Sequence, residues 1–169
     1  MKKNNHNSGF TLIELILYIG ILSVIMGAVA TLLFTFMQLR AKNQVIGEVE
    51  GQGTAAIEYI SQGIRNSQAI TSPTIGTSGS SLILDVVDAG NDPTTFSLSG
   101  TTLQVQFGAG SAIDLNSSVV EVSGLTFYNY SRDNTPGLIL VEFTLTHVNP
   151  EGTQEYEYQK TFTTAASLR

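Results

Sequence analysis

The chain has 169 residues, a net charge of −6, no cysteine, and 13% charged residues, where an ordinary soluble domain carries about 25%. This length holds one membrane helix and one modest globular domain. Without cysteine there is no disulfide, thiol nucleophile or cysteine-bound zinc, and the acidic balance offers no basic surface for nucleic acid.

Residues 1–9 form a short polar leader that bears Lys2 and Lys3. From Leu15 to Leu39 the chain carries no charge over 25 residues. A helix of that length is roughly 37 Å long at about 1.5 Å per residue, enough to cross a hydrocarbon core of about 30 Å. Glu14 sits one turn inside the apolar segment. A carboxylate at membrane depth costs about 2.5–3.5 kcal/mol even on mild insertion scales, so it needs a partner and reads as functional. Lys2 and Lys3 favour a cytoplasmic N-terminus under the positive-inside rule, although Arg40 and Lys42 on the far flank equal them in number. A cleaved secretory signal is the rival for this stretch; it would have a shorter apolar core and a small-residue cut after it. Gly20, Ser23, Gly27 and Ala28 are spaced to let another helix approach closely.

The run Gly9-Phe10-Thr11-Leu12-Ile13-Glu14 after a lysine-bearing leader resembles the class III signal of type IV prepilins and pseudopilins. The resemblance implies cleavage between Gly9 and Phe10 by a membrane-embedded prepilin peptidase, and N-methylation of Phe10. It also implies that Glu14 neutralises the Phe10 amine of a neighbouring subunit during assembly, which needs other pilin or pseudopilin subunits and an inner-membrane assembly platform. A buried carboxylate and a buried amine are each costly alone and tolerable as a pair. Two features depart from major pilins: no proline lies in Gly27–Thr31, and no cysteine can close the C-terminal region. Both lean towards a minor pilin or pseudopilin.

The helical pattern continues beyond the membrane segment. Ile46, Val49, Gly53, Ile57, Ile60 and Ile64 recur at steps of three and four, one apolar stripe expected to lie on a β-sheet. Gly47, Gly51, Gly53 and Gly63 each cost about 1 kcal/mol relative to alanine inside a helix. Ser72-Pro73 sets the expected end of the helix near Ile70. Residues 71–81 read as a linker. After it come strand patterns at 82–87, 95–98, 102–107, 119–122 and 125–130, then a hairpin in which Ile139, Val141, Phe143 and Leu145 face inward, with Tyr156, Tyr158 and Phe162 alternating in its second arm. Period two with one polar face means an antiparallel sheet wet on one side. Residues 119–127, 137–146 and 162–169 are similar, in a loose strand pattern, to minor pilins and pseudopilins of the J and W types.

The expected fold is therefore α+β and pilin-like: leader 1–9, membrane or filament-core helix 10–39, amphipathic half 40–70, linker 71–81 and antiparallel sheet domain 82–169. For catalysis there is little material. His147 is the sole histidine outside the leader, expected as a solvated strand-end residue, and no Gly-x-Ser-x-Gly elbow accompanies it. Asp85, Asp88 and Asp92, with Asn91, offer oxygen ligands of the kind calcium takes. Their spacing is not that of an EF-hand, and Asp and Asn in a turn need no metal to explain them. Tyr128, Tyr130, Tyr156 and Tyr158 are candidates for a partner-binding patch or for the core. No cofactor and no enzymatic activity are expected. The sequence points to a structural subunit of a type IV pilus or of a pseudopilus for type II secretion or competence. It would be a single-pass inner-membrane protein before assembly and an extracytoplasmic filament afterwards. The alternative is a monomeric membrane-anchored adhesin or receptor domain.

Overall fold

The computed structural model describes residues 11–169, so the leader and the Gly9–Phe10 junction lie outside the described residues. The chain divides into two units, the first ending at Arg40 and the second running Ala41–Arg169. Helix α1 spans Leu12–Asn66. In the first unit every described residue except Glu14 is exposed, as expected of a surface made to meet lipid or other apolar helices. Its hydroxyls are satisfied within the helix: Ser23 donates to the Ile19 carbonyl at 2.8 Å, Thr31 to Gly27 at 3.0 Å and Thr35 to Thr31 at 3.0 Å. Polar side chains that bond their own backbone leave nothing unpaired for a hydrocarbon surrounding to penalise.

In the second unit the helix lies on antiparallel sheets. Its buried face is Val45, Val49, Gly53, Ala56, Ile60 and Ile64, with Ile46 and Ile57 half-buried on its margins. Wherever the expected stripe had the choice of two adjacent apolar residues, Val45 and Ala56 lie deeper. The helix ends at Asn66, four residues before the point that Ser72-Pro73 suggested. Ser67 donates its hydroxyl to the Ile64 carbonyl at 2.7 Å, satisfying one of the open carbonyls of the last turn, and the chain turns directly into a strand.

The β half forms two antiparallel sheets. The first contains β1 (Ser67–Ser72), β3 (Leu82–Val86), β4 (Thr94–Ser99), β5 (Thr102–Phe107) and β6 (Ile113–Asp114), in the order β1-β3-β4-β5-β6. The second contains β2 (Ser78–Gly79), β7 (Val120–Asn129), β8 (Leu138–His147) and β9 (Gln159–Ser167), in the order β2-β7-β8-β9. The stretch 71–81, expected as a linker, thus holds the end of β1 and all of β2. Strands β4 and β5 join through Gly100-Thr101, with Gly100 at φ 62°, the left-handed first position of a tight hairpin turn. Ser123-Gly124, expected to separate two strands, instead makes a bulge inside β7: Gly124 sits at φ 65°, and two residues of β7 oppose Phe143, which kinks the strand without ending it.

Leu82, Leu84, Phe96, Leu103, Val105, Phe127, Ile139, Val141 and Phe143 are fully buried between the sheets and α1. The alternation in β8 places its four expected residues inward. Phe143 stacks on Phe162 of β9, ring centroids 5.6 Å apart. Tyr156 is not in the strand: residues Gln154–Tyr156 form a 3₁₀ turn, and β9 begins only at Gln159.

Candidate functional site

The site begins where α1 begins. Thr11 precedes the first helical residue, and its Oγ1 accepts the backbone N–H of Glu14 at 3.4 Å; its carbonyl accepts the first intrahelical bond, from Leu15 N–H at 3.2 Å. Thr-x-x-Glu is the sequence form of a capping box. Only one arm is made by these two residues. The Glu14 carboxylate turns along the helix and accepts a hydrogen bond from Tyr18 Oη at 3.2 Å, four residues on. Glu14 is half-buried while its helical neighbours are exposed, and the Tyr18 hydroxyl fixes the direction of its carboxylate. Tyr18 was not singled out from the sequence; its signal was the i, i+4 spacing to an acidic residue inside an apolar run. Acidic Glu14 in the first turn also lies at the positive end of the helix dipole.

The other candidates have structural work. Asp88 accepts from Gly90 N–H at 3.0 Å and from Asn91 Nδ2 at 2.8 Å, and Asp92 accepts from Val86 N–H at 3.3 Å. These bonds close the β3–β4 turn. Asp85 lies in β3 opposite Ala69. Among the described residues no three His, Asp or Glu side chains gather to hold a metal. The turn borders an open cleft of about 460 Å³ lined by Tyr59, Gln62, Asn66, Val86 and Asn91, among others.

His147 is partly buried rather than solvated: its ring lies against Tyr156 at 5.9 Å, and among the described residues its buried Nδ1 has no hydrogen-bond partner. The four tyrosines do not form one patch. Tyr128 and Tyr130 stack at 6.2 Å beside Leu140, whereas Tyr156 packs at the His147 end of β8. Tyr158 is half-buried against the core and donates to Glu50 Oε1 at 3.4 Å.

Glu50 also receives Lys160 Nζ at 2.7 Å, tying the helix to β9. The hydrogen bond and charge of Lys160 hold the Glu50 carboxyl below its ordinary range. The hydrogen bond that Lys160 donates to Glu50 in turn raises the Lys160 amine above its ordinary range. Gln52 ties the helix to the β6–β7 connection, donating to Ser117 Oγ at 2.7 Å and accepting from Ser117 N–H at 2.8 Å.

Residues 4–30 match a family model described as the prokaryotic N-terminal methylation motif. The match takes in the Gly9–Phe10 junction, Thr11, Glu14, Tyr18 and more than half of the uncharged run. No curated protein and no solved structure gives a match.

Proposed function

We propose that this chain is a prepilin-type structural subunit, processed between Gly9 and Phe10 by a prepilin peptidase, N-methylated at Phe10, and assembled through α1 into a type IV pilus or a secretion or competence pseudopilus. The observation that carries the proposal is the methylation motif at residues 4–30, leading into a long apolar helix whose surface is exposed in the isolated chain. A helix with so much uncovered apolar surface requires lipid before assembly and neighbouring subunits after it. Glu14 supplies the register: in a filament core its carboxylate meets the methylated amine of the next subunit, and each cancels the cost of burying the other. The lack of proline in Gly27–Thr31 and of any cysteine favours a minor pilin or pseudopilin position. A monomeric anchor has no use for a carboxylate one turn into the bilayer.

The test is mass spectrometry of the mature N-terminus from cells with and without the peptidase. The expected chain starts at N-methylated Phe10, and only when the peptidase is present. A chain that keeps residues 1–9, or is cut beyond the apolar run, would leave an anchored or secreted β-domain and remove the filament reading.

A further inference from the structure

The open cleft beside the β3–β4 turn lies wholly within the Ala41–Arg169 unit. Its volume of about 460 Å³ falls in the range of small-ligand sites, roughly 300–1,000 Å³. The helix supplies one wall. Tyr59, Gln62 and Asn66 line it at positions i, i+3 and i+7, a spacing that sets them on one helical face. Gly63 lies among them without a side chain, so the wall is notched there. The ring of Phe96 closes the base of the notch: a Cβ at Gly63 would lie 3.0 Å from it.

The polar groups of this wall are uncommitted. Among the described residues the Tyr59 hydroxyl and the side-chain amides of Gln62 and Asn66 have no hydrogen-bond partner, and all three residues are exposed. Tyr59 meets Phe96 edge-on, with centroids 6.3 Å apart and ring planes at 76°. Such a contact covers at most one face of the Tyr59 ring. Thr94, buried in the lining, donates its hydroxyl to the Asn91 carbonyl at 2.9 Å and keeps its acceptor lone pairs.

This chemistry selects a ligand class. Among the described residues no cation lines the cleft, so a phosphate, sulfate or carboxylate finds no counter-charge there. Asp88 is the one charged residue of the lining and repels anions further. A cage for an organic cation needs several open ring faces, but Phe96 is fully buried and Phe107 half-buried. A fatty chain would cover three polar groups and leave them without partners. An extended peptide is held best by a free strand edge, and this wall is a helix. A neutral sugar meets every condition. Its C–H face stacks on an exposed aromatic ring, and its adjacent hydroxyls both donate and accept, as the Gln and Asn amides do. Tyr59 to Asn66 spans about 10 Å along the helix axis, the length of a pair of linked pyranose rings.

We propose that this cleft binds a neutral oligosaccharide, with Tyr59 as the stacking platform and Gln62 and Asn66 pairing with its hydroxyls. The site is independent of the N-terminal processing proposed above, and failure of either leaves the other standing.

The test is saturation-transfer NMR on the full chain in phosphatidylcholine nanodiscs, which avoid detergents with sugar headgroups. The probes are maltose, cellobiose and N,N′-diacetylchitobiose. At least one should receive saturation on the C–H protons of a ring, and Tyr59→Ala should abolish the transfer. Gln62→Ala and Asn66→Ala should each weaken binding about two- to tenfold, the effect of one neutral hydrogen bond. Neither side chain holds a hydrogen bond within the fold, so this readout does not depend on how the tyrosine variant folds. Glu58→Ala, exposed on the same helix but outside the cleft, should leave binding unchanged. No transfer to any of the three sugars, or transfer undiminished by Tyr59→Ala, would overturn the site. Tighter binding of a sulfated disaccharide, or of the peptide acetyl-Thr-Val-Thr-amide, than of every neutral sugar would overturn the ligand class.

Discussion

At the scale of single residues, Glu14 has three roles that overlap in space. It accepts from Tyr18, its backbone is capped by Thr11, and in the proposed filament it carries the charge that meets an amine. Substitutions separate them. Glu14→Leu removes all side-chain polarity and should leave membrane insertion intact or improve it while abolishing assembly, read as subunit recovered in sheared filaments against subunit in membranes. Glu14→Gln keeps an acceptor for Tyr18 and removes only the charge, and it should fail in assembly almost as completely. Wild-type assembly by Glu14→Gln would sink the charge pairing and leave a helix-capping role. Tyr18→Phe should be much milder, because one hydrogen bond to a charged group contributes about 1.5–3 kcal/mol at most.

At the scale of elements, the glycines of α1 show where sequence stops being legible. Gly47, Gly51, Gly53 and Gly63 look alike as helix-weakening residues, and the structure divides them. A Cβ at Gly47 or Gly51 would meet nothing within 4 Å, whereas a Cβ at Gly53 would overlap the Phe162 ring. Gly53 is what lets the helix sit down on β9. Gly53→Val should therefore destabilise the domain by about 1–3 kcal/mol through overpacking, and Phe162→Ala in the same chain should recover part of the loss. Gly51→Ala should stabilise by about 0.5–1 kcal/mol. Chemical denaturation of all three variants checks the contrast. The apolar stripe was readable because periodicity is local; which glycine touches an aromatic ring 109 residues away is not. The same limit explains Gly124, whose left-handed φ reads as a break in sequence and becomes a bulge once β8 is alongside. Helix and β9 are also joined by Glu50–Lys160. With the Glu50 carboxyl lowered, its contribution is present above the ordinary carboxylate range and is lost as pH falls through the lowered value. With Lys160 raised, its contribution is present at neutral pH and is lost as pH rises through the raised value. The Tm difference between wild type and Glu50→Gln should be small, since the pair is exposed, constant through neutral pH, and vanish at both extremes.

At the scale of the whole molecule, the two units differ in what stabilises them. Every residue of the buried core lies between Val45 and Leu168, while the first unit buries none of its described residues. This division was legible early, because an uncharged run followed by an amphipathic stripe and alternating strands has a direct physical meaning. The split into two sheets was not, because pairing partners depend on long-range register that no local pattern encodes. The core distribution yields a last prediction. A fragment of residues 41–169 retains both sheets and the helix face that covers them, so it should be water-soluble and unfold cooperatively. A fragment of residues 67–169 loses Val45, Val49, Ala56, Ile60 and Ile64 and exposes their apolar counterparts, including Phe96 and Phe162. Burying each large aliphatic side chain contributes about 1.5–3 kcal/mol, and three isoleucine or valine anchors alone approach the 5–15 kcal/mol by which domains are stable. The shorter fragment should therefore lack a cooperative thermal transition and bind a hydrophobic dye. If it melted cooperatively like the longer one, the sheets would hold their own core, and the helix would serve as a covering rather than as part of the fold.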